Sequence, residues 1–192
     1  GTPSQEDGTI DLSYIVAACE NLGQCLRDKD TFHTVIMKST VLPGTTDKII
    51  RPLLEKTSKK IAGNGFSIGT NPEFLREGNA VKDCLSPDRI IIGADDSRTA
   101  MLLQDLYAPV NAPVFVTTMT TAEMIKYASN AVLATKISLA NEIGNFCKKL
   151  GIDSREVFSA VGMDSRINPA FFQTGIGFGG SCFPIDVRAL IA

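Results

Sequence analysis

The sequence contains a single histidine, His33, among its 192 residues. Any mechanism that depends on a histidine base must therefore use that residue. His33 stands in an apolar segment, residues 31–38, that predicts a buried strand, so we interpret it as structural. The segment Gly-Gly-Ser-Cys-Phe around Cys182 superficially resembles the cysteine signature of papain-like proteases. Those proteases need a histidine well downstream of the cysteine, and the residues after Cys182 contain none, so this class is excluded.

The cysteines and the net charge exclude several other classes of protein. Five cysteines form an odd set without Cys-x-x-Cys spacing, which argues against a disulfide framework or a metal site. The pattern favours a reducing compartment, so we expect a cytoplasmic protein. A net charge of −2 gives no electrostatic reason to expect a nucleic acid or an anionic membrane as partner. No apolar run approaches the roughly 18 residues that a membrane-spanning helix needs.

Helical and strand patterns alternate over the first 120 residues. Apolar stripes predict helices at 11–30, capped by Asp11, and at 45–56 and 97–107. Runs rich in β-branched residues predict strands at 32–37, 66–69, 89–93 and 113–116. We predict an α/β fold built on a partial Rossmann-like parallel sheet. A strand–Gly-x-Gly-x-x-Gly–helix fingerprint is missing, since the glycine run at 175–180 follows phenylalanines rather than a strand.

The second part of the sequence is typical of helices. Residues 121–150 contain no proline and one glycine, and apolar residues on nearly all sides indicate a buried helix. Its length of about 45 Å suits a helix that links two domains or forms a dimer seam. A helix capped by Asp153 and a last helix near Cys182 follow. We therefore divide the chain into a Rossmann-like part, 1–120, and an all-α central part, 121–192.

Cys182 is the first candidate reactive residue. Glycines 179 and 180 precede it and a helix follows, so backbone N–H groups and the positive end of a helix dipole favour the nucleophilic thiolate form. Asp186 lies one helical turn further and could position a water beside the sulfur. A buried, inert cysteine is the more common fate of this residue type, but the glycine-rich approach favours a nucleophile.

Two further clusters carry polar groups. Lys126 and Asn130 lie four residues apart on one face of the long helix, where an ammonium and an amide suit an alkoxide or oxyanion. The alternative is a lysine that extends its amine to solvent. The loops after the first two predicted strands carry Thr40, which could order a water, and Glu73, a candidate acid/base group. Ordinary solvated loop residues are the alternative for both.

Six segments stand in a fixed order along the chain: GTP, KSTVLPGT, NPEFLREG, PDRIIIG, AEMIKYASNAVLATKISLANEIGNFC and GFGGSCFP-x-Asp. Together they resemble the UDP-glucose/GDP-mannose 6-dehydrogenase family over essentially the whole sequence. The resemblance implies the second half of an NAD-binding Rossmann domain, followed by a central helical domain through which a homodimer forms. It also implies NAD as cofactor and a nucleotide hexose, UDP-glucose or GDP-mannose, as substrate.

The resemblance further implies the chemistry and its residues. Two hydride transfers oxidise the C6 hydroxyl to a carboxylate, and Cys182 holds the intermediates as a thiohemiacetal and then a thioester. The other implied catalytic groups are Lys126, Asn130, Glu73, Asp186 and Thr40. The implied cofactor-binding residues on the nicotinamide side are Ser39, Thr40, Val41, Glu77 and Cys182. The implied substrate-binding residues are Glu73, Phe74, Leu75, Arg76, Lys126, Asn130, Arg166, Phe171, Gln173, Phe178 and Gly179, with Arg166 reaching the neighbouring subunit's substrate.

The residues leave alternatives open. A β-hydroxyacid dehydrogenase also combines a Rossmann sheet with a Lys-x-x-x-Asn helix, but performs one hydride transfer without a cysteine. An inactive dimerising fragment is a second alternative.

Ile185 stands where the family usually has lysine, and a missing cation near the sulfur would weaken the reactivity of Cys182. Turnover of an Ile185→Lys variant tests that expectation. The sequence does not decide between the nucleotide sugars.

Overall fold

The computed structural model describes residues 2–192; Gly1, the first residue of the GTP segment, lies outside the described residues. The elements follow the order α1 (Ser13–Arg27), β1 (His33–Met37), a π-helical turn (Thr46–Ile50), α2 (Arg51–Ser58), β2 (Phe66–Thr70), α3 (Ala80–Leu85), β3 (Ile90–Ala94), α4 (Ser97–Tyr107), β4 (Val114–Thr117), α5 (Met119–Leu150), α6 (Ser154–Val161) and α7 (Cys182–Ile191). The chain divides into two compact units, Gly1–Lys126 and Tyr127–Ala192, with the boundary inside α5. Across the described part of the chain, no helix is long and apolar enough to span a bilayer.

The predicted α/β fold is confirmed, with one difference in the sheet. The four strands pair in the order β1-β2-β3-β4. The β1/β2 and β3/β4 pairs are parallel, whereas β2 and β3 are antiparallel, with Gly69 opposite Ala94 and Thr70 opposite Gly93. The sheet is therefore mixed rather than parallel throughout. Its second connection, residues 71–89, contains only the six-residue helix α3 and brings the chain back antiparallel to β2.

Local differences from the predicted elements have simple causes. Pro52 lies inside the predicted helix at 45–56, and the structure places it in the first turn of α2, where a missing N–H is tolerated. The preceding turn is π-helical. Asp11 is not the N-cap residue of α1, but its carboxylate still accepts the N–H of Ser13 at 2.8 Å. His33 begins β1 and is exposed, so the prediction that its segment is buried is wrong at that residue.

The larger of the apolar clusters in the first unit lies between α1, α2 and the sheet. All five residues of β2 are buried, which explains a strand without polar alternation. The buried apolar residues that share this core are Ile15, Cys19, Leu26, Val35, Met37, Val41, Ile50, Leu54, Phe66, Ile68 and Met119. Because Val41 and Met119 belong to it, the loop after β1 and the start of α5 are anchored by the same apolar cluster.

The start of α5 lies directly on the sheet at Gly93. A Cβ added at that position would be 2.8 Å from the Cβ of Ala122 and 2.9 Å from the Cα of Met119. Both distances are shorter than real Cβ contacts, so only glycine fits. The helix therefore begins in backbone contact with β3.

The second unit is helical, as predicted. Asp153 caps α6 by accepting the N–H of Arg155. The rings of Phe158 and Phe172 stack with centroids 5.1 Å apart, and Ala140 completes their small core. The predicted burial of the long helix on all sides is not observed in the single chain, because apolar residues of α5 such as Leu139 are exposed.

Candidate active site

In the first unit, Lys126 and Glu73 form an ion pair. The Nζ of Lys126 lies 3.1 Å from Oε1 of Glu73 and 5.4 Å from the centroid of the Phe74 ring. Lys126 is only 4% exposed. A buried ammonium requires such a partner, since removing it from water is costly. The alternative of a lysine extended into solvent does not apply to this conformation.

The Glu73 carboxylate is fixed by a second contact but remains accessible. Its Oε2 accepts the N–H of Leu75 at 2.6 Å, while 29% of the side chain is exposed. The neighbouring Phe74 is held by Arg89, whose guanidinium carbon lies 4.2 Å from the ring centroid. The segment after β2 thus presents an oriented carboxylate that a ligand or water can still reach, which suits a proton acceptor.

Asn71 organises the start of the same segment. Its side chain is buried and donates to the carbonyl of Ile91 at 2.7 Å. Its Oδ1 accepts from Lys38 Nζ at 3.0 Å and from Tyr107 Oη at 2.6 Å. Burial lowers the pKa of the Lys38 ammonium, and the negative charge of Glu73 opposes that decrease. The amide of Asn71 therefore connects the residue that follows β1 with β3 and α4, two residues before Glu73. The sequence analysis did not assign this role.

The loop between β1 and α2 contains three of the predicted nicotinamide-side residues. Ser39 is exposed, Thr40 is half-buried, and Val41 lies in the core. The Thr40 carbonyl accepts from Thr2 Oγ1 at 3.1 Å. The end of this loop is bound by Glu123, which the sequence analysis also missed.

Arg76 is already paired in this structure. Its backbone N–H and Nε each donate to Oδ2 of Asp83 at 2.9 Å, and Nη2 donates to Oδ1 at 2.5 Å. Asn79 adds a further donor to the same carboxylate at 2.8 Å. Glu77, between them, is exposed. The Arg76 guanidinium thus positions the loop before α3, and a substrate role would require it to share its donors with Asp83.

The Arg76–Asp83 pair leads to a pH-dependent prediction. Hydrogen bonds from Arg76 hold the pKa of Asp83 well below its usual range. A carboxyl with a depressed pKa stabilises the folded state above its unfolded pKa of about 3.9, and this contribution is lost as the pH falls through the folded value. Asp83→Asn should therefore lower the urea midpoint by a similar amount at about pH 7 and about pH 5, and by less at about pH 3.

Urea unfolding at about pH 7, 5 and 3 measures this difference. Asp105→Asn, at an exposed position on α4, is the matched control and should leave the midpoint almost unchanged at each pH. A deficit in Asp83→Asn that is the same at every pH would contradict the pairing.

In the second unit, Asn130 and Asp186 form a buried pair. Asn130 Nδ2 donates to Oδ2 of Asp186 at 2.5 Å, and both residues are buried. The structure thus gives Asp186 a partner on α5, whereas the sequence analysis oriented it toward the sulfur of Cys182. Cys182 is the first residue of α7, as predicted, and is exposed. Its Sγ lies 3.6 Å from Ser181 Oγ.

The remaining predicted substrate residues of this unit have local contacts. Arg166 pairs with Asp164 at 2.6 Å while 87% of its side chain is exposed, so its guanidinium is accessible to another molecule. Phe178 packs edge-on against Phe183 with centroids 6.4 Å apart. The others share a location in the irregular segment between α6 and α7: Phe171, half-buried at φ 67°, and the exposed Gln173 and Gly179.

The first unit fits part of an NAD site. Parallel pairing of β1 and β2 brings the loops after both strands to one edge of the sheet, which is where α/β sheets bind cofactors. Exposed Ser39 lies in the first of these loops. The glycine fingerprint for the pyrophosphate is absent from this sequence, so the predicted contacts of this loop are with another part of the cofactor. No group of three His, Cys, Asp or Glu residues within 2–192 is arranged to hold a metal.

Two family models match the chain. The model described as "UDP-glucose/GDP-mannose dehydrogenase family, NAD binding domain" matches residues 1–111, and the central-domain model of the same family matches 120–192. UDP-glucose 6-dehydrogenase AglM of Haloferax volcanii is 52% identical over 100% of this chain and 46% of its own length. GDP-mannose 6-dehydrogenase of Pseudomonas aeruginosa is 46% identical over 99% of this chain and 44% of its own length.

Solved structures agree with these matches. A UDP-glucose dehydrogenase from the archaeon Pyrobaculum islandicum has a TM-score of 0.95 and 49% identity, covering 100% of this chain and 44% of that chain. A ternary complex of GDP-mannose dehydrogenase from Pseudomonas aeruginosa has a TM-score of 0.85 and 46% identity, with the same coverage. The chain spans a little under half the length of these relatives.

Proposed function

Because the chain belongs to the UDP-glucose/GDP-mannose dehydrogenase family, we propose that it is part of an NAD-dependent nucleotide-sugar 6-dehydrogenase. The whole enzyme would oxidise the C6 hydroxyl of a nucleotide hexose to a carboxylate. The observation that carries this proposal is the exposed thiol of Cys182 at the first residue of α7. A four-electron oxidation needs a group that retains the aldehyde between its two steps, and a cysteine does so covalently.

We propose the following roles for the residues of the chain. Glu73 accepts the C6 hydroxyl proton, through a water ordered by Thr40, and the ammonium of Lys126 stabilises the developing negative charge on oxygen. The 3.1 Å contact between Glu73 and Lys126 supports this pairing of roles. Asn130, four residues along α5, donates its amide to the same oxygen. NAD⁺, when bound, supplies the hydride acceptor for each oxidation.

The remaining steps are assigned to the second unit. The Cys182 thiolate adds to the aldehyde carbon and forms a thiohemiacetal. Loss of hydride from that carbon gives a thioester, and water then releases the carboxylate and restores the thiol. The buried Asp186 carboxylate, bound to Asn130, would orient the amide and support the hydrolytic water. Phe74–Arg76, Arg166 and the Gln173–Gly179 segment are proposed to bind the nucleotide sugar.

The stoichiometry of the complete protein tests this proposal. UDP-glucose, GDP-mannose and their N-acetylated analogues would each be incubated with NAD⁺, and NADH and uronate would be quantified together. Two NADH for each uronate formed is the expected result with the preferred sugar. One NADH for each substrate, with a ketone or aldehyde as product, would instead support the β-hydroxyacid dehydrogenase alternative. No turnover of any nucleotide sugar would contradict the proposed activity.

The oligomeric state and the location of the whole protein are also proposals. Val132, Leu139 and Phe146 are exposed at seven-residue intervals along α5, and such a stripe is suited to burial against a second copy of the helix. This supports a homodimer through the central domain, which sedimentation velocity of the complete protein would test. All five cysteines are free, which is consistent with the reducing conditions of the cytoplasm.

A further inference from the structure

Glu123 is a buried carboxylate to which the proposed mechanism assigns no role. It is 2% exposed. Its Oε2 accepts the backbone N–H of Gly44 at 2.5 Å, and its Oε1 accepts the backbone N–H of Thr46 at 2.9 Å. Burial raises the pKa of Glu123, and the hydrogen bonds from Thr46 and Gly44 oppose that rise. Both carboxylate oxygens are thus committed to backbone donors of one loop.

Both donors lie at the end of the loop that leads into the π-helical turn. Gly44 has a φ of +90°, a conformation that glycine adopts without strain, and Thr46 begins the π-helical turn. N–H groups at the start of a helical segment have no partner within it, so the carboxylate supplies one. At its other end, the loop is fixed by pairing of β1 with β2. Glu123 therefore adds a polar anchor, beside the apolar burial of Val41, at the end of the segment that contains Ser39 and Thr40.

Glu123 and Lys126 also lie three residues apart on α5, so they share one face of the helix. We infer that Glu123 is a positioning residue that holds the nicotinamide-side loop, residues 39–44, in a fixed place relative to Lys126. This inference rests on the proposed function. Glutamate is the residue that fits both donors, because glutamine has only one acceptor oxygen and aspartate is one methylene shorter.

Glu123→Gln in the complete enzyme tests the inference. We expect the Kd for NAD⁺, measured by titration without sugar, and the KM for NAD⁺ to rise roughly tenfold, as for loss of one charge-assisted hydrogen bond. The KM for the nucleotide sugar should stay within about twofold. Amide hydrogen exchange of residues 39–46 in the NAD-free protein should accelerate, because their anchor is weakened.

Asp96→Asn is the matched control. The Asp96 carboxylate also accepts a backbone N–H at a helix start, from Thr99 at 2.8 Å, but at α4. This variant should lower the melting temperature without changing the Kd for NAD⁺. If Glu123→Gln behaved in the same way, with unchanged Kd and unchanged exchange at 39–46, Glu123 would be merely structural and the inference would be wrong.

Two further outcomes are informative. If Glu123→Gln does not fold, Glu123→Asp replaces it with the same measurements, since it keeps the charge and shortens the reach. Wild-type enzyme that produced one NADH, or none, for each sugar would overturn the proposed function. Normal wild-type stoichiometry with unaltered NAD⁺ binding in the variant would overturn only the role of Glu123.

Discussion

Replacing Cys182 with serine in the complete enzyme is expected to lower uronate formation by a factor on the order of 10³ or more. Serine has nearly the same shape, but its hydroxyl is a weak nucleophile unless a base removes its proton. The chain offers no histidine for that task, because its single histidine, His33, lies at the start of β1. Single-turnover assays that quantify NADH and uronate together would measure the loss.

Cys25→Ser is the control for this substitution, since Cys25 is another exposed, free cysteine and lies on α1. It should retain the wild-type rate and stoichiometry. The nucleophile assignment fails if Cys182→Ser forms uronate as fast as the wild type. The same result would remove the main distinction between this protein and a one-step dehydrogenase.

Lys126→Met is expected to lower kcat by roughly 10²–10³, the effect of removing one donor to a developing oxyanion. Methionine is unbranched and of similar size but has no charge, so it also removes the contact of the ammonium with the Phe74 ring. The free energy of unfolding should fall by only about 1 kcal/mol. The reason is that Glu73 is partly exposed, so water can solvate its carboxylate once the ammonium is gone. Steady-state kinetics and thermal unfolding of the same preparation would separate the two effects.

Lys148→Met makes the same substitution on the same helix at an exposed position. Its kcat should remain close to that of the wild type. A comparable loss of kcat in both variants would indicate that charge on α5, rather than the position of Lys126, is responsible. Unchanged kcat in Lys126→Met would refute the oxyanion role.

The sequence predicted the elements better than their connections. Periodic apolar residues identified most helices and strands because each pattern is local. The antiparallel pairing of Gly69–Thr70 with β3 depends on how a loop returns, and strand–helix alternation contains no information about that path. The short helix α3 has too few residues for a periodic signal. The predicted helix at 45–56 runs over Pro52, and the apolar pattern gave no sign that the turn before this proline is π-helical.

The candidate site shows the same limit. Lys126 was recognised because a lysine in an apolar helix needs a partner, yet that partner, Glu73, lies 53 residues away in sequence. The same reasoning applied to Glu123, an acid in the same apolar helix, would have identified it. Asn71 gave only the signal of an asparagine between a strand and a proline. The assigned roles remain predictions, as does the reduced reactivity expected from Ile185, which is half-buried in α7.

The close contact of α5 with Gly93 also affects the position of Lys126, which does not contact this glycine itself. Because the Cβ of Ala122 and the Cα of Met119 lie directly on this glycine, a larger residue at position 93 would meet atoms of α5 that no change of rotamer can move. A methyl group at position 93 would lift the first turn of α5 and carry Lys126 with it, away from Glu73. The geometry of the Lys126–Glu73 ion pair thus depends on the absence of a side chain at position 93.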